Sequence, residues 1–287
     1  MPKDEEQAKE WEEKYNWEAL HYWGNKMLPT QYTEAGCFKC HSDNMPIKGA
    51  DKLSLGMSTF EKAGCYTCHS MDRWGEEYPK AGPSLYKVAS KTTKDWTYRW
   101  IMEPRAFRHN TWMPHFFKMG NNSSPEDLIR PEQVTLALTE YLFAKSSDYN
   151  MEKNSLRGDP ANGELLVSSL GCLGCHQIQP EPDPDYEPSL QNLRLEQGPN
   201  LIGVGSKTDK TWLFNWLKNP YTYHSGTKMP NLRLTNQEAS DIASYLLLNK
   251  NDEFDATPVP RVNQEVLNGI SSDFLSQLNS STTQVAS

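Results

Sequence analysis

Apolar positions along the chain cluster at helical rather than alternating spacing. Residues 11–27, 58–63 and 163–170 read as helices. So do the short stretches 93–102 and 209–217, each followed by a proline that cannot continue the helix. Thr235 with Glu238 three positions later is a capping-box start for a helix over 235–248, in which Ile242, Tyr245 and Leu246 share a face. Pro131 suits a first helical turn and predicts a helix over 131–143. No convincing alternating strand is present, so the expected fold class is all-α with long loops.

Composition complicates this picture. Only 37% of the 287 residues are apolar, and adding the 17 glycines leaves the share below the ~45–50% usual for globular domains. Disorder does not account for it, because 11% of the residues are aromatic and disordered chains are aromatic-poor. Something other than aliphatic side chains has to fill the core. No apolar run approaches the ~18 residues of a membrane span.

The cysteines supply that filler. All six fall in three C-x-x-C-H motifs: Cys37-Phe38-Lys39-Cys40-His41, Cys65-Tyr66-Thr67-Cys68-His69 and Cys172-Leu173-Gly174-Cys175-His176. This is the spacing of c-type haem attachment, and one such pentapeptide is expected only ~0.003 times in a shuffled chain of this composition. Two thiols three positions apart reach the two vinyl groups of one porphyrin, and the adjacent histidine reaches the iron as proximal ligand. Structural zinc needs four ligands and does not call for a histidine after each pair. A thioredoxin-like motif expects a single pair near a βαβ pattern. Three covalently bound haem c groups are therefore expected, on Cys37 and Cys40 with His41, Cys65 and Cys68 with His69, and Cys172 and Cys175 with His176.

Two of the motifs lie in an internal repeat. Gly82-Pro83-Ser84-Leu85 is followed by Lys91, Trp96, Trp100, Pro104 and Met113-Pro114. Gly198-Pro199-Asn200-Leu201 is followed at the same offsets by Lys207, Trp212, Trp216, Pro220 and Met229-Pro230. Gly56 and Gly163 each lie nine residues before the first cysteine, and Gln133 to Tyr141 parallels Gln237 to Tyr245. The copies differ by insertions, nine residues after His176 and twelve after Met113.

With these motifs in view, residues 55–150 and 155–250 each resemble a class I cytochrome c domain, and the resemblance covers about two thirds of the chain. It implies that the Pro83 and Pro199 carbonyls orient His69 and His176, and that Met113 and Met229 are distal ligands. Both methionines occupy equivalent repeat positions followed by proline, and a thioether ligand raises the potential. Trp96, Trp100, Trp212 and Trp216 are expected to pack the haem core rather than relay electrons. The expected organisation is a helix and first haem segment over 1–54, cytochrome c domains over 55–150 and 155–250, and an extended or mobile tail over 251–287. For haem one the distal candidates are His21, Met27, Met45, Met57, His109, His115 and His224. His21 is favoured, on the predicted helix and near enough in sequence to fold back, and bis-His ligation would make this haem the lowest in potential.

Haem attachment takes place outside the cytoplasm, so a periplasmic or equivalent location is expected; residues 1–14 lack the pattern of an export signal, which suggests a mature or trimmed chain. The formal net charge of −8 argues for redox partners with a basic docking patch, a membrane respiratory complex among them, and against nucleic acid. The expected function is single-electron transfer, as a carrier or as a subunit of a respiratory complex, without catalytic residues. Two alternatives stand beside it: an enzyme such as a peroxidase or small reductase working at an open haem one, and a subunit of a haem filament.

Overall fold

A computed structural model describes residues 47, 49–71, 82–109, 111, 113–117, 125–179 and 198–285. The first motif (Cys37, Cys40, His41), His21, Met27, Met45 and the helix predicted over 11–27 lie outside the described residues. The chain divides into two compact units, Met1–Ser54 and Leu55–Ser287, and both repeats belong to the second. Among the described residues the structure is helical, without strands.

Seven helices carry the frame: α1 Asp51–Lys62, α2 Lys94–Met102, α3 Pro125–Ala144, α4 Pro160–Ser169, α5 Lys210–Lys218, α6 Asn236–Leu246 and α7 Gln264–Val285. Their starts follow from capping residues that satisfy otherwise orphaned backbone N–H groups. The Thr93 side chain accepts from Trp96 N at the start of α2, and Asp209 accepts from Trp212 N at the equivalent start of α5. Asp159 caps α4 ahead of Pro160, and Thr235 with Glu238 closes the full capping box of α6. Helices α2 and α5 stop before Pro104 and Pro220, where one-turn helices Pro104–Phe107 and Pro220–Tyr223 take over.

Helix α3 begins six residues before the expected start. Pro125, not Pro131, stands at its first position, and the helix runs on through Pro131, which removes one i→i−4 hydrogen bond without ending it. Helix α1 likewise starts before the predicted 58–63. In each repeat the helix leading into the haem motif crosses the closing helix at a glycine. A Cβ on Gly56 would stand 2.6 Å from Tyr141 Cβ, and one on Gly163 would stand 2.8 Å from Tyr245 Cβ. The second repeat builds its core on this crossing, from Val167, Trp212, Phe214, Leu217, Ile242 and Leu246.

The repeats interlock. Tyr149, at the end of the first repeat, packs edge-on against Tyr223 of the second at 5.2 Å. Phe254, which follows the second, packs against Phe107 of the first at 4.9 Å and is buried with Trp96. Lys87 Nζ donates to the Thr222 and Tyr223 carbonyls, and Tyr223 Oη returns a bond to the Lys87 carbonyl.

The stretch 251–287, expected to be an extended or mobile tail, is instead helical over Asp252–Ala256 and along α7. Its Ser/Thr/Asn content hides an apolar stripe: Leu267 and Ile270 are buried against Leu55 and Ala137. Asn263 Oδ1 accepts from the Glu265 and Val266 N–H groups at the start of α7, and Gln133 anchors the Asn263 N–H.

Candidate haem centres

Each repeat presents its C-x-x-C-H motif on a single tight turn. The one-turn helix Cys65–Cys68 carries the first, and a 3-10 turn over Cys172–Gly174 carries the second. None of these four cysteines is paired in a disulfide. Burial pushes the Cys65 thiol up to about 11 and raises Cys172 as well. Neither is a ready thiolate, and a thioether bond would remove the ionisation altogether.

The histidine after each motif leaves the turn and is fixed by the glycine-proline segment. His69 Nδ1 lies 2.7 Å from the Pro83 carbonyl oxygen, and His176 Nδ1 lies 2.8 Å from that of Pro199. A carbonyl can only accept, so Nδ1 carries the proton and the Nε2 lone pair is left to bind a metal. For His69, burial lowers the pKa and outweighs the opposing carbonyl bond, which keeps the ring neutral. The preceding glycines touch these rings: a Cβ at Gly82 would stand 2.6 Å from His69 Nδ1, and one at Gly198 2.5 Å from His176 Nδ1. Backbone bonds from Gly82 N to the Cys68 carbonyl and from Gly198 N to the Cys175 carbonyl, both 2.8 Å, tie the segment to the motif.

Met113 and Met229 are also held alike. The hydroxyl of Thr111 accepts from Met113 N, and that of Thr227 from Met229 N, both at 3.2 Å. Trp100 Nε1 donates to Met113 Sδ at 2.7 Å and Trp216 Nε1 to Met229 Sδ at 2.9 Å. Each donor ring is stacked on the tryptophan one turn earlier, with centroids 5.3 Å apart in both Trp96–Trp100 and Trp212–Trp216. Sequence reasoning placed these four rings in the packing and missed the donor role of Trp100 and Trp216. The signal was there, as the same thirteen-residue interval from tryptophan to methionine in both copies.

A cavity of about 1130 Å³, shared between the repeats, brings together Cys65, Cys68, His69, Pro83, Trp100 and Met113 of the first and is also lined by Pro199, Lys207 and Trp216 of the second. It exceeds the ~300–1,000 Å³ of ordinary small-molecule pockets. Two thiols on one turn, a neutral imidazole with a free Nε2 and a thioether sulfur in an aromatic-lined cavity of this size fit a covalently held haem. In the second repeat Cys172 and Met229 pack against one core cluster.

Three further candidates for haem one, His109, His115 and His224, lie among the described residues. His109 is exposed. His115 Nε2 pairs with Glu103 Oε2 at 3.1 Å, and His224 lines the cavity that contains His69. Met57 is buried in α1.

Residues 160–250 match the family model described as cytochrome c, and residues 3–70 match the one described as cytochrome c554 and c-prime. The second match contains both the first and second C-x-x-C-H motifs. No curated protein and no solved structure matches the chain. No helix among the described residues is long and apolar enough to cross a membrane. Cytochrome c domains carry covalently bound haem c and are typically extracytoplasmic, and the two family matches support a c-type cytochrome that transfers electrons through haem.

Proposed function

We propose that the chain is a tri-haem cytochrome that passes single electrons outside the cytoplasm, as a carrier or as the electron-transfer subunit of a respiratory complex. The observation that carries this reading is the duplicated ligand support. In both repeats a histidine is anchored through Nδ1 by a proline carbonyl and a methionine sulfur accepts an indole N–H. Cys65 and Cys68, with His69 and Met113, hold one haem in the domain 55–150. Cys172 and Cys175, with His176 and Met229, hold another in the domain 155–250. Cys37, Cys40 and His41 hold the third, with His21 as its distal ligand. A covalently bound haem supplies one-electron redox chemistry at its iron.

The residues around it set the conditions. The proline carbonyls fix the imidazole planes and make Nε2 a better donor. The indole N–H groups draw electron density from the methionine sulfurs, which weakens their hold on ferric iron and raises the potential. Trp96, Phe107 and Phe254 pack into a buried cluster with Trp100 partly buried against it. The net charge of −8 favours redox partners with basic docking patches.

Intact-mass measurement and a pyridine haemochrome assay on the purified protein should both give three haems per chain, and the double variant Cys37→Ala/Cys40→Ala should give two. A wild-type count of two would refute the tri-haem reading. Met113→Ala and Met229→Ala should each remove part of the thioether-to-iron absorption near ~695 nm. Carbon monoxide binding strongly to one reduced haem at neutral pH would turn the reading toward an enzyme with an open iron.

A further inference from the structure

One repeat position carries a lysine in both halves, and each lysine lies on the tryptophans of the other half. Lys91 Nζ is 4.6 Å from the Trp212 ring centroid and 5.9 Å from that of Trp216. Lys207 Nζ is 4.8 Å from Trp96 and 5.8 Å from Trp100. Both lysines line the cavity that contains His69 and Met113, and so does Arg108. Among the described residues neither ammonium meets a carboxylate. Burial pushes the Lys91 pKa down to about 8, and Lys207 falls well below its ordinary value through burial and then repulsion from Lys91 and Arg108. A third orphan lies in the same wall: Trp96 is 5% exposed, and its indole N–H has no hydrogen-bond partner.

Two cations drawn into one cavity need anions. A cation over an aromatic face gains ~0.5–2 kcal/mol, whereas withdrawing an ion from water costs several kcal/mol. The aromatic faces alone therefore do not offset the burial. Haem c carries two propionates, so the group that fits this cavity brings two carboxylates with it.

We propose that Lys91 and Lys207 form a carboxylate-binding site at the seam between the repeats, occupied by the propionates of the haem held by Cys65, Cys68 and His69. Lys207 comes from the second repeat, so the first repeat's pocket is complete only when the two halves are together. The assignment rests on the haem reading given above and goes beyond it in naming the counter-ions and their trans origin.

The test uses the haem-loaded full chain and the variants Lys91→Met, Lys207→Met and Lys207→Arg, followed by thermal unfolding and optical redox titration. If the site holds propionates, each methionine variant strands a buried carboxylate, lowers the melting temperature and lowers the midpoint of the haem that Met113→Ala also displaces. A tenfold shift in that reduction equilibrium, 59 mV for one electron, is expected, and Lys207→Arg should stay near wild type. If the lysines have no anion, methionine relieves an unpaired, half-buried charge, so an equal or higher melting temperature with unmoved midpoints overturns the proposal. A shift confined to the second repeat's haem overturns it too. Should a methionine variant fail to fold, Lys91→Gln and Lys207→Gln, which remove the charge and keep a polar side chain, decide: a lowered midpoint of that haem supports the site and an unmoved one refutes it. Wild-type protein without haem on Cys65 and Cys68 would sink the haem reading itself, whereas full haem content with insensitive midpoints sinks only the carboxylate site.

Discussion

Replacing Gly163 by alanine sets two opposed effects on one carbon. In a helix interior alanine is favoured over glycine by ~1 kcal/mol, and Gly163 lies inside α4. The added Cβ, however, would stand 2.6 Å from the Asp241 carbonyl carbon and 2.8 Å from Tyr245 Cβ, against ~3.5–4.0 Å for carbon atoms in ordinary contact. One neighbour is backbone and the other is the first side-chain carbon, so no rotamer change relieves the clash. The helices must part by ~1 Å, which loosens Val167, Ile242 and Leu246 at the centre of the core. Overpacking of this kind costs ~1–3 kcal/mol, and with rigid neighbours the upper end applies. The net expectation is a loss of ~2 kcal/mol, or ~4–8 °C in melting temperature at ~2–4 °C per kcal/mol. Gly269 in α7 gives the opposite sign, because a Cβ there would meet nothing within 4 Å. Gly269→Ala should raise the melting temperature by ~2–4 °C. Both variants are compared by thermal circular dichroism of haem-loaded protein. A Gly163→Ala protein that melts at or above wild type would refute the claim that these helix backbones cross in contact.

Three further outcomes are expected. Burial alone would raise the Asp241 pKa, but bonds from Asp159 N, Asn162 Nδ2 and Gln237 Nε2 together outweigh it and hold the carboxyl below its ordinary value. Its contribution to stability is therefore present above the unfolded carboxylate range and lost as pH falls through the lowered folded value. Denaturation midpoints from pH 7 to pH 3 should fall less steeply in Asp241→Asn, which should also be ~1–3 kcal/mol less stable at pH 7; an unchanged acid slope would contradict this. Leu267→Ala should cost ~2–5 kcal/mol through the cluster with Leu55, Ala137 and Ile270, and a neutral result would place α7 away from that surface. Trp100→Phe removes the N–H donated to Met113 Sδ and should lower that haem's midpoint by ~20–60 mV, the electrical equivalent of one ~0.5–1.5 kcal/mol hydrogen bond; a raised midpoint in a redox titration would reverse the assigned effect.

What could be read from the sequence was what the chain encodes locally or twice. The prolines that stop α2 and α5 and the capping box that starts α6 placed those helices to within a few residues, since a helix end is decided by the side chains beside it. The duplicated offsets pointed to the glycine-proline segments that meet His69 and His176, and to the two methionines that the tryptophans support. Interlocking was not readable, because a repeat shows which residues correspond but not which half they touch. Lys91 and Lys207 were visible as a matched pair, yet their exchange onto the opposite tryptophans belongs to the tertiary packing. Helix α7 was missed because its serines, threonines and asparagines outweighed the Leu267–Ile270 stripe in a judgement by composition.

The exchange of Tyr149 and Phe254 between the repeats makes the halves inseparable as working parts. Domains joined only by a flexible linker meet by diffusion, and their relative motion gates anything that passes between them. Here the end of the first half lays a ring on the second, and the chain after the second half lays one on the first, so the hinge is locked from both sides. On the proposed tri-haem reading, an electron crossing between the two halves would meet a span fixed at folding, and its rate would be governed by that span and the driving force rather than by the frequency of encounter.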